Sequence, residues 1–149
     1  MSDKAVSKVE LAAATFGEGF NCSQAVLSAF ALDLGLDRET ALRVAGAFGA
    51  GIARMGQTCG AVSGALMVLG FKYGQVEAAD KQAKERMYAI AREFMAQFEA
   101  RNGSILCREL LGYDIGTPEG MQIIREQGLF TTLCPKLVGD AAEIVEQLL

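Results

Sequence analysis

The chain has 149 residues, 51% of them hydrophobic and 21% charged, and a net charge of −4. That is enough chain for one domain with a real core, and the composition is that of a globular protein, not a disordered one. The acidic balance argues against nucleic acid as a partner, since phosphate needs a basic surface, and no basic run marks a membrane-surface segment.

The N-terminal MSDKAVSKVE holds no apolar h-region, so no signal peptide is expected. The periodicity of Val6, Val9, Ala13 and Phe16 predicts a first helix over Asp3 to Phe16, broken by GEGF. Asn21-Cys-Ser-Gln24 reads as an N-cap with Gln at N3, opening a second helix that is apolar on most sides and ends near Leu34. Asp37 caps a third, Arg38 to about Phe48, stopped by glycines at 49 and 51. Thr58 reads as the cap of a fourth, from Cys59 to about Lys72 and again apolar nearly all round. The stripe Val76, Ala79, Ala83, Met87, Ile90, Phe94 and Phe98 predicts a long helix over 76–98, ended by Asn102-Gly103. Ser104 caps a short helix in ILCRELLG, Thr117-Pro118-Glu119 starts another, and a last helix follows Cys134-Pro135.

No alternating run is long enough for a strand, and no linker divides the chain. The expected fold is a single all-α domain over residues 1–149, a bundle of seven or eight helices with two central apolar helices starting at Cys22 and Cys59. Its longest apolar runs, Ala41 to Ala53 and Ala61 to Phe71, fall short of the roughly 20 residues a membrane span needs. A cytoplasmic protein with reduced thiols and no membrane insertion is therefore expected, and the long Met/Phe stripe leaves room for a homodimer face.

The chemistry lies in what is absent and what is scattered. There is no histidine. That excludes Ser–His and Cys–His nucleophile pairs, HExxH zinc sites and CxxCH haem attachment. There are four cysteines, Cys22, Cys59, Cys107 and Cys134, and no CxxC pair. On the predicted elements, Cys22 and Cys59 fall at N1, Cys107 at N3, and Cys134 at the N-cap or N2. All four thus sit in a first turn, where free N–H groups and the macrodipole favour thiolate over thiol. Taken singly, each would read as a small core residue. Taken together, they read as a joint site assembled by the fold, able to ligate a metal or to carry redox chemistry.

Gly60 and Gly64 lie on one helix face, where a cofactor or a neighbouring helix can approach, packing being the commoner use. Arg54 precedes Cys59 and can offset thiolate charge. Asp114 is read as an Asx-turn residue before a hard ligand, and Met67 as core before a soft ligand.

The motif Cys59-Gly60-Ala61-Val62-Ser63-Gly64, the setting Asn21-Cys22-Ser23-Gln24-Ala25, and single cysteines in ILCRELLG and LCPKLV resemble the redox-active protein family labelled C_GCAxxG_C_C. The likeness runs from about Val9 to the C-terminus. It implies redox activity centred on the four cysteines and an unknown redox partner, with a link to a transport system implied by the transporter genes that often lie near members. A similar cysteine-bearing region occurs in split-Soret cytochromes c, where an iron–sulfur centre has been proposed; their haem motifs are missing here.

Three readings follow. Cys22, Cys59, Cys107 and Cys134 ligate an iron–sulfur cluster, 2Fe–2S first, for electron transfer or sensing. Alternatively, Cys22/Cys59 and Cys107/Cys134 act as metal-free thiol–disulfide pairs, which leaves open an oxidoreductase. The third is a structural zinc bound by all four.

Overall fold

The structure, a computed structural model, describes residues 6–149. Among these are α1 (Lys8–Gly17), α2 (Cys22–Ala31), α3 (Arg38–Val44), a four-residue segment α4 (Gly49–Ile52), α5 (Gly60–Tyr73), α6 (Lys81–Asn102), α7 (Cys107–Leu111), α8 (Pro118–Glu126) and α9 (Leu129–Leu148). No named strand occurs among the described residues; an isolated antiparallel bridge joins Thr58 to Leu106. The all-α expectation holds, with eight regular helices and one irregular turn.

Helices α2 and α5 form the centre, and the sequence explains both. Asn21 accepts the Gln24 N–H at 2.9 Å and Gln24 returns the bond from its side-chain oxygen to the Asn21 N–H at 3.0 Å, a complete capping box. The same two side chains reach sideways: Asn21 donates to the Gly46 carbonyl and Gln24 to the Leu42 carbonyl, both at 3.0 Å. The cap therefore also fixes α3. Seven of ten residues in α2 are buried and eight of fourteen in α5, as helices apolar on most sides must be.

The two helices cross closely because α5 presents glycine. A Cβ at Gly64 would stand 2.6 Å from the Ser23 carbonyl oxygen and 3.2 Å from the Ser23 Cα. Here α2 backbone lies directly on α5, a packing no side chain would allow. Around this crossing, α6 contributes Phe94 and Phe98, both fully buried with ring centroids 6.1 Å apart. Each contributes about 1.5–3 kcal/mol by leaving water. A second, smaller cluster gathers Cys107, Leu111, Ile115 and Ile124 with Phe130 and Cys134 packed on it.

Between α3 and α5 the chain does something no pattern predicts. Ala50, Gly51, Ile52, Ala53 and Arg54 all have left-handed backbone, with φ of 55°, 68°, 66°, 51° and 66°. Each non-glycine residue there costs roughly 1–2 kcal/mol. The turn is held from outside: Ala53 N–H donates to Ala47 O at 2.9 Å, Gln57 N–H to Gly51 O at 2.8 Å and Gly56 N–H to Ala50 O at 3.4 Å. Gly51 has no room for a Cβ, which would meet Gln57 N at 2.5 Å and Cys107 Cβ at 2.7 Å.

Several boundaries differ from expectation. Helix α1 begins at Lys8 on a Ser7 cap, with Val6 exposed; the expected start over 3–5 lies outside the described residues. Helix α2 ends at Ala31 and α3 at Val44, both earlier than the apolar runs suggest. Helix α6 begins at Lys81 because Asp80 accepts the Ala83 N–H at 3.1 Å, a stronger start than the stripe at Val76, which is 97% exposed.

We expect Gly64→Ala to lower unfolding stability by about 1–3 kcal/mol through overpacking. Ala53→Gly, at an exposed left-handed position, should raise it by about 0.5–1 kcal/mol. Chemical denaturation of the two variants beside the parent protein measures both.

Candidate functional site

Cys22 is N1 of α2, directly after the Asn21 cap. Cys59 is not N1 of α5 but its N-cap, because the helix starts at Gly60 and no side chain caps it by an ordinary hydrogen bond. The reason is a backbone tie: the Cys59 N–H donates to Ile105 O at 2.7 Å and the Cys107 N–H to Gln57 O at 2.7 Å. These two bonds make the Thr58–Leu106 bridge, with Cys59 opposite Ile105 and Cys107 opposite Gln57, and tie the entry of α5 to that of α7. Leu106, not Ser104, is therefore the cap residue of α7, and Cys107 is its N1.

Cys134 corrects the expectation more sharply. It is the sixth residue of α9, in the second turn, with Pro135 inside the helix. Gly128, at φ 67°, supplies the break after α8, and α9 starts at once at Leu129. Proline reads as a helix start, yet here it is absorbed: lacking an N–H, it leaves the Thr131 carbonyl without its helical donor.

Despite these shifts the four thiols converge. Cys22, Cys59, Cys107 and Cys134 all line one cavity of about 110 Å³, closed by Phe16, Leu110, Leu111, Ile115, Phe130 and Leu137. Cys22 and Cys59 border the larger core and Cys107 and Cys134 the smaller, so the site lies on the seam between them. Gly60 makes room for it: a Cβ there would stand 2.5 Å from the Cys22 sulfur and 2.9 Å from Phe48 O. The two glycines of CGAxxG thus do different things, Gly60 admitting the first cysteine's sulfur and Gly64 the backbone of α2.

The four thiols are electrostatically unequal. Cys22 is lowered from 9.0 to about 7, chiefly by the hydrogen bond from Cys59. Burial opposes this, and the N–H groups of Ala50, Cys22 and Ser23 assist it. The Ala50 contribution comes from the left-handed turn. Cys59 is raised well above 9.0 because it gives its hydrogen to Cys22, is buried and faces Cys22's charge; the N–H groups of Ala61 and Val62 pull the other way. Cys107 is pushed up to about 12 by burial and then by Cys22. Cys134 rises to about 12 by burial, then by Cys22 and Cys107. Only Cys22 is thiolate near neutral pH. Cys22, Cys59 and Cys107 keep the expected helix-start positions, and Cys134 does not. Cys59 keeps its proton as donor to Cys22, α7 is only five residues long, and Cys134 is past the first turn, where the dipole no longer helps.

The remaining sequence candidates are placed as follows. Arg54 is exposed and borders an adjoining hollow, not the cysteine cavity. Asp114 forms the expected Asx-turn, accepting the Gly116 N–H at 2.8 Å. Met67 packs on the core, as expected. Among the described residues, no group of three or more His, Cys, Asp or Glu side chains is arranged to hold a metal ion. The donors are all thiols, as a soft metal would want, but they do not surround one point.

Residues 20–148 match the family described as "Putative redox-active protein (C_GCAxxG_C_C)". No curated protein and no solved structure matches the chain.

The lowered Cys22 value means its thiolate persists above pH 7 and is lost as pH falls through about 7. Alkylation of Cys22 by iodoacetamide, mapped by mass, should rise with a midpoint near there, well below that of an ordinary thiol. Cys59→Ala removes the leading cause and should move that midpoint upward.

Proposed function

Because the chain belongs to the family of redox-active C_GCAxxG_C_C proteins, we propose that it is a thiol–disulfide redox protein in which Cys22 attacks and Cys59 resolves. The observation that carries this reading is geometric: Cys22 at N1 of α2 and Cys59 at the N-cap of α5 line one cavity, with the Cys22 sulfur pressed against Gly60, the residue after Cys59.

The Cys22 thiolate attacks one sulfur of a substrate disulfide. The substrate S–S bond breaks, a mixed disulfide forms on Cys22, and the first thiolate leaves and takes a proton from water. Capping Cys22 removes the charge and the hydrogen-bond acceptor that had kept Cys59 protonated. Cys59 then releases its proton, helped by the Ala61 and Val62 N–H groups. It attacks the Cys22 sulfur and expels the second substrate thiolate. Two electrons pass from the protein dithiol to the substrate, and a Cys22–Cys59 disulfide remains. An external dithiol restores the pair by the reverse exchange.

A second reading is favoured by one further observation, that Cys107 and Cys134 share the cavity with this pair. It assigns the four thiols to an iron–sulfur cluster, which would supply one-electron chemistry when bound. The lack, among the described residues, of a three-thiol group arranged around one point weighs against it in this conformation.

Treatment with a small neutral disulfide, followed by differential alkylation and mass mapping, should yield a Cys22–Cys59 disulfide in the parent chain. The same treatment should leave a lasting mixed disulfide at Cys22 in Cys59→Ser. Four thiols that alkylate identically with and without oxidant would overturn the first reading.

Purification without oxygen separates the second. A brown protein with visible absorption, iron and acid-labile sulfide would establish the cluster, and a colourless, iron-free one would remove it.

A further inference from the structure

A larger hollow, of about 600 Å³, adjoins the cysteine cavity. The two share Phe16, Asn21, Ala50, Ile115 and Phe130 as walls. Its volume is that of a small-molecule site, in the range of roughly 300–1,000 Å³. Its floor is apolar, and its charged groups are Arg54, from the left-handed turn, and Arg125, from the last turn of α8.

The charge pattern is selective. The chain carries a net −4, yet no acidic residue lines this hollow. Neither guanidinium takes part in an ion pair among the described residues. Asp114 borders a neighbouring hollow that Arg54 also touches; it accepts the Gly116 N–H and makes no ion pair with Arg54 among the described residues. Arg54 is moreover held at φ 66° while exposed. That is backbone strain without burial in return, a pattern that clusters at functional sites. A planar, permanently charged guanidinium is the group best suited to grip a carboxylate, by two parallel hydrogen bonds.

We propose that this hollow is the substrate site of the redox centre and takes small disulfides bearing carboxylates, with Arg54 and Arg125 holding the anionic groups and the shared Asn21–Ala50 wall leading to Cys22. This rests on the thiol–disulfide reading above. In the exchange already described, the arginines bind and orient; the bond broken is the substrate S–S bond and the electrons come from Cys22 and Cys59.

Two measurements test it. The first compares alkylation of Cys22 by anionic iodoacetate and by neutral iodoacetamide, and needs no redox turnover. The iodoacetate-to-iodoacetamide rate ratio should fall roughly fivefold in Arg54→Gln/Arg125→Gln at low salt, and the Lys/Lys double variant should restore it. A ratio equal to that of the parent protein overturns anion binding in the hollow.

The second compares reduction of 5,5′-dithiobis(2-nitrobenzoate) with that of bis(2-hydroxyethyl) disulfide. KM for the dicarboxylate should rise about tenfold in the Gln/Gln variant, lowering its preference over the neutral disulfide. An unaltered preference overturns the substrate class while leaving thiol–disulfide exchange standing. If the parent protein reduces neither disulfide, the redox reading itself falls and takes the substrate class with it, and the alkylation ratio still decides whether the hollow binds anions.

Discussion

The contact on which the rest of the molecule depends is the crossing of α2 and α5, where backbone meets backbone at Gly64 and sulfur meets helix at Gly60. Any Cβ at either position would force the helices apart. The core packing around Leu27, Phe30, Val62 and Leu69 would then lose its close fit. The same separation would part Cys22 from Cys59. Stability and chemistry therefore draw on one geometric condition, the closest approach of two apolar helices near their N-terminal ends.

Two tertiary devices extend that crossing into a site. The Thr58–Leu106 bridge fastens the entry of α5 to the entry of α7, and Cys59 and Cys107 line the same cavity. The left-handed run from Ala50 to Arg54 turns the chain back over the cavity, aiming an N–H at Cys22 and leaving Arg54 at the edge of the next hollow. Such a run survives only where its surroundings over-determine it. Here the hydrogen bonds to Ala47, Ala50 and Gly51 carbonyls, and the close fit of Gly51 against Cys107, do so.

Within the cavity, burial and charge divide the thiols. One negative charge is accommodated at Cys22 by a neighbouring S–H and three N–H groups, and that charge raises the other three. A site of four equivalent thiolates would need four sources of compensating charge. A chain without histidine, with its arginines outside the cavity, does not supply them from its own side chains. The result is one thiol lowered by its neighbours and three raised, in part by its charge.

The sequence by itself determined the fold class, the caps at Asn21, Asp37 and Thr117, the burial of α2 and α5, and the four cysteines as the residues of interest. Each of these rests on local chemistry: side chains bonding the backbone three residues on, or apolar periodicity that must find a core. Even Gly60 and Gly64 were visible as one face, though not which would meet a sulfur and which a carbonyl. Tertiary structure alone decided the rest. It made Cys59 a cap, because Ile105, distant in the chain, accepts its N–H. It placed Cys134 in the second turn, because Gly128 rather than Pro135 starts α9. It wound residues 50–54 left-handed against their own preference, and it separated the four thiols by depth and by neighbour. Hydrogen bonds and burial between distant segments have no period and no motif, so they could be read only once the chain had closed on itself.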